Sequence, residues 1–225
     1  MPRKYRLKRR AEKQEATRRR IIEAVVELHE TVGPAQTTIS AVAERAGVQR
    51  VTVYRHFPDE ASLYRACAAH WRAEHPLPDP EAWCTITDPR ERLRRALIEL
   101  AAYYEHNEQM LANVQRDAPF IPALLEALGP VSEALAHMQQ VLSEGWEIDP
   151  EREPSLRGAL AHALAFTTWR SLVREQGIPP DQAADLLVCL VDCARQGGGT
   201  QADSRIQEPG LRMDLDADRK ADPSV

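Results

Sequence analysis

The sequence predicts an all-α chain in which an N-terminal three-helix domain is joined to a larger C-terminal helical domain. Three observations carry this. Apolar residues recur at helical spacing, with no strand-like alternation and no internal repeat. Ala, Leu, Arg and Glu dominate, and these residues form helices readily. Pro, Gly and capping residues interrupt the pattern at helix-length intervals. The 225 residues accommodate a module of about 50 residues and a helical domain of more than about 100.

Taken in order, residues 1–14 read as a flexible basic arm. Helical periodicity begins near residue 15, where Ile21, Val25, Leu28 and Val32 step by four, three and four along one apolar stripe. Gly33-Pro34 stops this helix. Thr37 or Thr38 caps the next, whose inner face is Ile39, Val42, Ala43 and Ala46. Gly47 supplies a left-handed turn, and a short third helix covers about 49–56. Phe57-Pro58-Asp59 breaks the chain, and Asp59 caps a connecting helix over 59–75. The first domain is therefore 15–58. Residues 76–88, with Pro76, Pro78, Pro80 and Asp88-Pro89, read as a connector inside a second domain spanning 76–195. Its helices fall at about 89–106, 108–116, 120–128, 130–144, 154–175 and 180–195. The polar, Gly-containing stretch 196–225 reads as a disordered tail.

Charge is unevenly placed. Residues 1–20 hold ten basic residues and two acids, a net +8, whereas the whole chain carries −5. The remainder is thus −13. A cationic arm on an acidic body fits either a polyanionic partner near the N-terminus or a solvated tail. No run approaches 18 apolar residues, so no membrane span is expected. No apolar stretch follows the basic start, so it does not read as a secretory signal and cytoplasm is the default location. The chain carries no GxSxG, HExxH, Walker loop or Gly-rich dinucleotide turn, which speaks against an enzyme. No cofactor is expected. Cys67, Cys84, Cys189 and Cys193 form no CxxC and no zinc-like spacing with His, so no metal site is expected. Cys189 and Cys193, four residues apart, read as two buried or half-buried thiols, with a redox pair or soft-metal site as the alternative.

Three short helices with a tight Gly turn between the second and third form a helix-turn-helix pattern. An isolated helix of this length is unstable in water, so the third must be braced by the others, here through Val48, Val53 and Phe57. Val51, Tyr54 and Arg55 then point outward, flanked by Arg50 and Thr52. Guanidinium, hydroxyl and methyl groups are those that meet phosphates, guanine edges and thymine methyls.

The stretch Thr37–Leu63, TTISAVAERAGVQRVTVYRHFPDEASL, resembles the tetracycline-repressor (TetR) family of regulators. The resemblance rests on T-T-x-x-x-[VI]-A-x-x-A-G-V, then T-[VL]-Y-x-[HY]-F, then P-x-x-x-x-L, and covers about residues 17–70. Over the rest it extends only to helix order and length. It implies an all-helical homodimer that binds double-stranded DNA at a palindromic operator and represses until a small-molecule effector binds. It further implies a DNA-backbone contact for Thr38 and a base contact for Ser40. Gln49, Arg50, Val51 and Thr52 would face base edges, and Tyr54 and His56 phosphates, with Arg55 beside them. Glu60 departs from the family's frequent Lys, so that phosphate contact is expected to be missing, with the basic arm compensating.

In the second domain, the last two helices would pair with a second copy across a two-fold axis, with Leu156, Leu160, Leu164, Leu172, Leu186, Leu187, Leu190 and Val191 as interface candidates. The alternative is that they fill the chain's own core. Candidates for an effector pocket are Tyr103, Tyr104, His106, Met110, Met138, Trp146, His162, Phe166 and Trp169, each also able to serve as core packing. His162 stands out as a lone histidine on an apolar helix. Two further readings stay open: a DNA-binding dimer without effector, and a redox- or metal-responsive regulator using Cys189 and Cys193.

Overall fold

A computed structural model describes residues 2–196, with side chains from Lys8 onward. The described residues contain no strand. The chain opens with α1 (Pro2–Thr31), followed by a 3-10 turn (Pro34–Gln36), α2 (Ile39–Arg45), α3 (Arg50–His56) and α4 (Glu60–Glu74). The second domain holds α5 (Pro89–His106), α6 (Glu108–Asp117), α7 (Pro122–Ala127), α8 (Gly129–Ser143), α9 (Glu153–Ala163), α10 (Phe166–Trp169) and α11 (Pro180–Gln196).

Two departures from the sequence reading concern the ends. The helix expected from residue 15 continues back to Pro2, so the basic arm is the first half of α1. At the other end Gln196 closes α11, and the tail expected from there lies, apart from that residue, outside the described residues. Val32, placed on the buried stripe of α1, is 40% exposed.

The first core is built from α1, α2, α3 and the start of α4. Ile21, Val25, Val42, Val53 and Phe57 meet there, joined by Leu63 and Cys67. Local chemistry sets the turns. Thr38 Oγ1 accepts from Ala41 N at 3.1 Å and starts α2. Gly47 takes φ 64°, which lets Val48 N reach Ala43 O at 2.9 Å and turns the chain into α3. Asp59 Oδ1 accepts from Ser62 N at 2.7 Å and starts α4.

The second core gathers α5, α8, α9, α10 and α11 around Leu93, Leu100, Tyr104, Met138, Leu142, Leu160, Trp169 and Val191. The connector read over 76–88 contributes to it. A 3-10 turn, Pro80–Trp83, buries Trp83 completely, and its Nε1 donates to Glu99 Oε2 at 2.8 Å. Arg92 is also buried. Its guanidinium donates to Ile86 O (2.9 Å), Val141 O (3.1 Å) and Glu144 O (3.0 Å), placing a cation on the carbonyl end of α8.

The single helix expected over 154–175 is broken. Ala165 is extended (φ −74°, ψ 135°) between α9 and α10, and residues Arg170–Glu175 continue as a π-helix. Neither Gly nor Pro marks this point. Tyr104 Oη donates instead to Leu164 O, and the bend lets Phe166 and Trp169 close on the Tyr104 ring, with centroids 5.5 and 5.8 Å away. A tertiary hydrogen bond and an aromatic cluster thus set the kink.

Candidate nucleic-acid interface and internal cavity

The outward face of α3 is read from its burial. Val53 is 0% exposed, while Val51 and Tyr54 are 68% and 49% exposed. Gln49, Arg50 and Arg55 are exposed, and Thr52 and His56 half-buried. Thr38 and Ser40 lie exposed at the start of α2. Thr38 is already committed as a cap, which holds its hydroxyl at the helix N-terminus. Glu60 is exposed in the first turn of α4.

The helical arm changes what surrounds α3. Arg9, Arg10, Lys13, Gln14 and Thr17 of α1 form a cleft with Arg55 and His56. Arg18 sits over the Phe57 ring at 5.0 Å. Burial, then the Arg55 and Arg18 charges, hold the His56 pKa below its ordinary value, with Glu15 opposing. Its Nε2 is sequestered and has no partner among the described residues. Sequence reasoning treated the arm and α3 separately. The structure makes them two walls of one cationic surface.

A cavity of about 390 Å³ lies between α4, α6, α7 and α8. His29, Tyr64, Cys67, Trp71, Arg72, Leu111, Leu124 and Val131 are among its walls. Of the residues expected to line a pocket, Tyr103 and Met110 do so. Tyr104, Met138, Trp146 and Trp169 are instead buried in the second core, with Phe166 packed against it. His162 is exposed on α9, its ring 3.4 Å from Thr168 Oγ1, and His106 is exposed at the end of α5. For Tyr104, Met138, Trp146, Phe166 and Trp169 the structure takes the core-packing alternative, because the second core closes around them. The overlooked signal is on α4. Tyr64, Ala68 and Trp71 are spaced by four and three, a second apolar stripe beside Leu63 and Cys67.

The helices around the cavity are tied to the first domain. Asn113 Nδ2 of α6 donates to His29 O (3.0 Å) and Glu30 O (2.7 Å) at the end of α1. Asp117 Oδ2 accepts from Ala35 N at 2.9 Å, and Arg116 Nη2 donates to Val32 O at 3.3 Å. The Arg116 guanidinium beside Asp117 holds that carboxyl below its ordinary pKa. Gly33, at φ 92°, threads under this group. A Cβ there would meet Asp117 Oδ2 at 2.7 Å and also strike Arg116 Nη2.

The leucines proposed for a dimer contact divide. Leu156, Leu160, Leu164, Leu187 and Val191 are buried in the chain's own core, and Leu172 packs against it. Core filling is therefore the correct reading for these. Leu186 and Leu190 remain 50% and 46% exposed on α11. Cys189 and Cys193 are exposed beside them rather than buried. No helix among the described residues is long and apolar enough to cross a membrane.

Residues 21–67 match the family model for bacterial regulatory proteins of the tetR family. Over 182 residues the chain is 28% identical to an uncharacterized HTH-type transcriptional regulator of Mycobacterium tuberculosis, covering 78% of this chain and 85% of that protein. Among solved structures, a TetR-like transcriptional regulator from a Rhodococcus species superposes with a TM-score of 0.52 at 21% identity, over 80% of this chain and 96% of that one. A TetR family transcriptional regulator from Thermus thermophilus gives 0.52 at 18% identity, over 79% and 95%. At these identities the structural likeness is one of fold.

Proposed function

We propose, from the premise that the chain belongs through its N-terminal domain to the tetR family of bacterial regulatory proteins, that it is a homodimeric repressor released from its operator by a small molecule bound in the α4–α8 cavity. The observation that carries the reading is the outward row of α3. Val51, Tyr54 and Arg55 face solvent while Val53 and Phe57 are buried, so a helix of major-groove width presents base- and phosphate-contacting groups on a braced support. Arg50 would read a guanine edge. Gln49, Val51 and Thr52 would meet neighbouring bases, Ser40 another, and Thr38, Tyr54, Arg55 and His56 the backbone. The α1 cations would follow the phosphates alongside. As a helix about 10–12 Å wide, α1 does not fit a minor groove about 6 Å wide.

Two recognition helices must reach major grooves about 34–36 Å apart, which favours a dimer. Leu186 and Leu190, exposed on α11, offer its contact. The α4 helix links the two activities, because Cys67 both packs in the first core and lines the cavity. A ligand that displaced α4 or α6 would pull on α1 through Asn113, Arg116 and Asp117 and re-aim α3.

The test is selection of bound sequences from random duplexes by the full chain, repeated with Arg50→Ala. A palindromic consensus that the substitution relaxes at one position per half-site supports the reading. Binding without enrichment, lost at moderate salt, would reduce the helix-turn-helix to a non-specific anchor.

A further inference from the structure

The α4–α8 cavity contains an imbalance of charge. Its walls are apolar, and Arg72 is the one side chain among its described lining residues that carries a fixed charge. No carboxylate lines it. Arg72 sits half-buried in the last turn of α4. Its Nη1 is sequestered and has no hydrogen-bond partner among the described residues. Three other arginines are matched: Arg65, on the same helix, pairs with Glu126 at 3.0 Å, Arg174 with Glu108 at 2.8 Å, and buried Arg92 with three carbonyls.

A guanidinium cannot relieve this by losing its proton. An unmet buried N–H on a charged group costs more than a neutral one, and the neighbouring walls offer no acceptor of opposite charge. A bound anion supplies a counter-charge to Arg72, which lines the cavity; Nη1 itself, without accessible surface, is not the contacting atom. The volume of about 390 Å³ lies in the range of small-molecule sites. Tyr64 and Arg72 both line the cavity and stand eight residues apart on α4, about 12 Å along the helix, which sets the length of an apolar body running from the guanidinium toward the first domain.

We propose that the cavity binds an amphipathic organic monocarboxylate, its carboxylate accepting from Arg72 and its apolar body lying along Trp71, Leu111 and Tyr64. The assignment rests on the reading of this cavity as the effector site and narrows its ligand to one chemical class. A cation would meet Arg72 with no acid to offset it, and a second negative charge would be desolvated without a partner.

The experiment uses isothermal titration calorimetry on the full chain with two matched pairs: decanoate against decanamide, and naphthalene-2-carboxylate against naphthalene-2-carboxamide. At least one acid is expected to bind about 10- to 100-fold tighter than its amide, as a charge-assisted hydrogen bond implies. Arg72→Gln should remove that preference and leave amide binding in place, and Arg72→Lys should restore part of it. Val131→Trp, which fills the cavity without touching the charge, should abolish binding of both; it keeps the test open if Arg72→Gln does not fold by circular dichroism. Equal binding of acid and amide, a preference that survives in Arg72→Gln, or no binding by either pair overturns the proposal. DNA anisotropy on the selected operator separates this from the effector reading. An Arg72-dependent acid that leaves operator affinity unchanged supports the ligand class and sinks effector release. An amide that binds as tightly and releases DNA does the reverse.

Discussion

His29 should make this protein lose stability as the pH falls below neutrality. It lies near the end of α1 and is 3% exposed, stacked on Tyr64 at 5.5 Å, with Nδ1 3.6 Å from Cys67 Sγ. Burial holds its pKa down to about 4 from 6.5, with the Asp117 charge pulling the other way. The folded protein therefore keeps the ring neutral while the unfolded chain takes up a proton below pH 6.5. Stability is complete above 6.5 and is lost as the pH drops from 6.5 toward 4. At about 1.36 kcal/mol per pK unit the full penalty is about 3 kcal/mol, and the part felt between pH 7.5 and 5 is about 2 kcal/mol. His56, also lowered, acts in the same direction, but its closeness to solvent screens it. The depressed carboxyls of Asp59, Asp117 and Asp192 act nearer and below 3.8. The assay is urea unfolding at pH 7.5 and pH 5.0, at fixed protein concentration, for the wild type and His29→Gln. Comparing each protein with itself cancels the fixed cost of the substitution. The wild type should lose about 2 kcal/mol more than the variant between the two pH values. Equal losses would refute the argument, because the buried ring would then not be the titrating group.

Gly33→Ala combines a left-handed φ of 92° with a Cβ 2.7 Å from Asp117 Oδ2; it should cost about 1–3 kcal/mol, seen as a lower melting temperature, and should weaken coupling between cavity and operator. Arg92→Ala leaves the carbonyls of Ile86, Val141 and Glu144 without their donor. A loss of about 3 kcal/mol in chemical unfolding is expected, with α8 exchanging its amide protons faster. If α11 carries the dimer contact, Leu186→Asp with Leu190→Asp should yield a folded monomer in sedimentation and reduce operator affinity. An unchanged dimer would place the interface elsewhere.

The helix-turn-helix was legible because everything that defines it lies close in the chain. The stripe Ile21, Val25, Leu28, the Thr37-Thr38 and Asp59 caps and the Gly47 turn act over five residues or fewer, and the inner residues of α3 differ from the outer ones by helical phase alone. The α4 helix was legible for the same reason, from Asp59 to His75. The break at Ala165 was not, since the hydroxyl that holds it belongs to Tyr104, 60 residues earlier.

By itself, then, the sequence determined the all-helical class, the N-terminal motif and the face of α3 that meets solvent, because these follow from short-range periodicity, caps and one obligatory turn. Tertiary structure alone decided which apolar residues are spent on the core. Leu160 and Leu187 look like Leu186 and Leu190 in the sequence, yet the first two are buried and the second two exposed. It also decided that the cavity is walled by α4, α6, α7 and α8, and that Arg72 lines it with no carboxylate beside it. A helical pattern records that a residue is apolar and which way it points, but what it meets depends on where other helices dock.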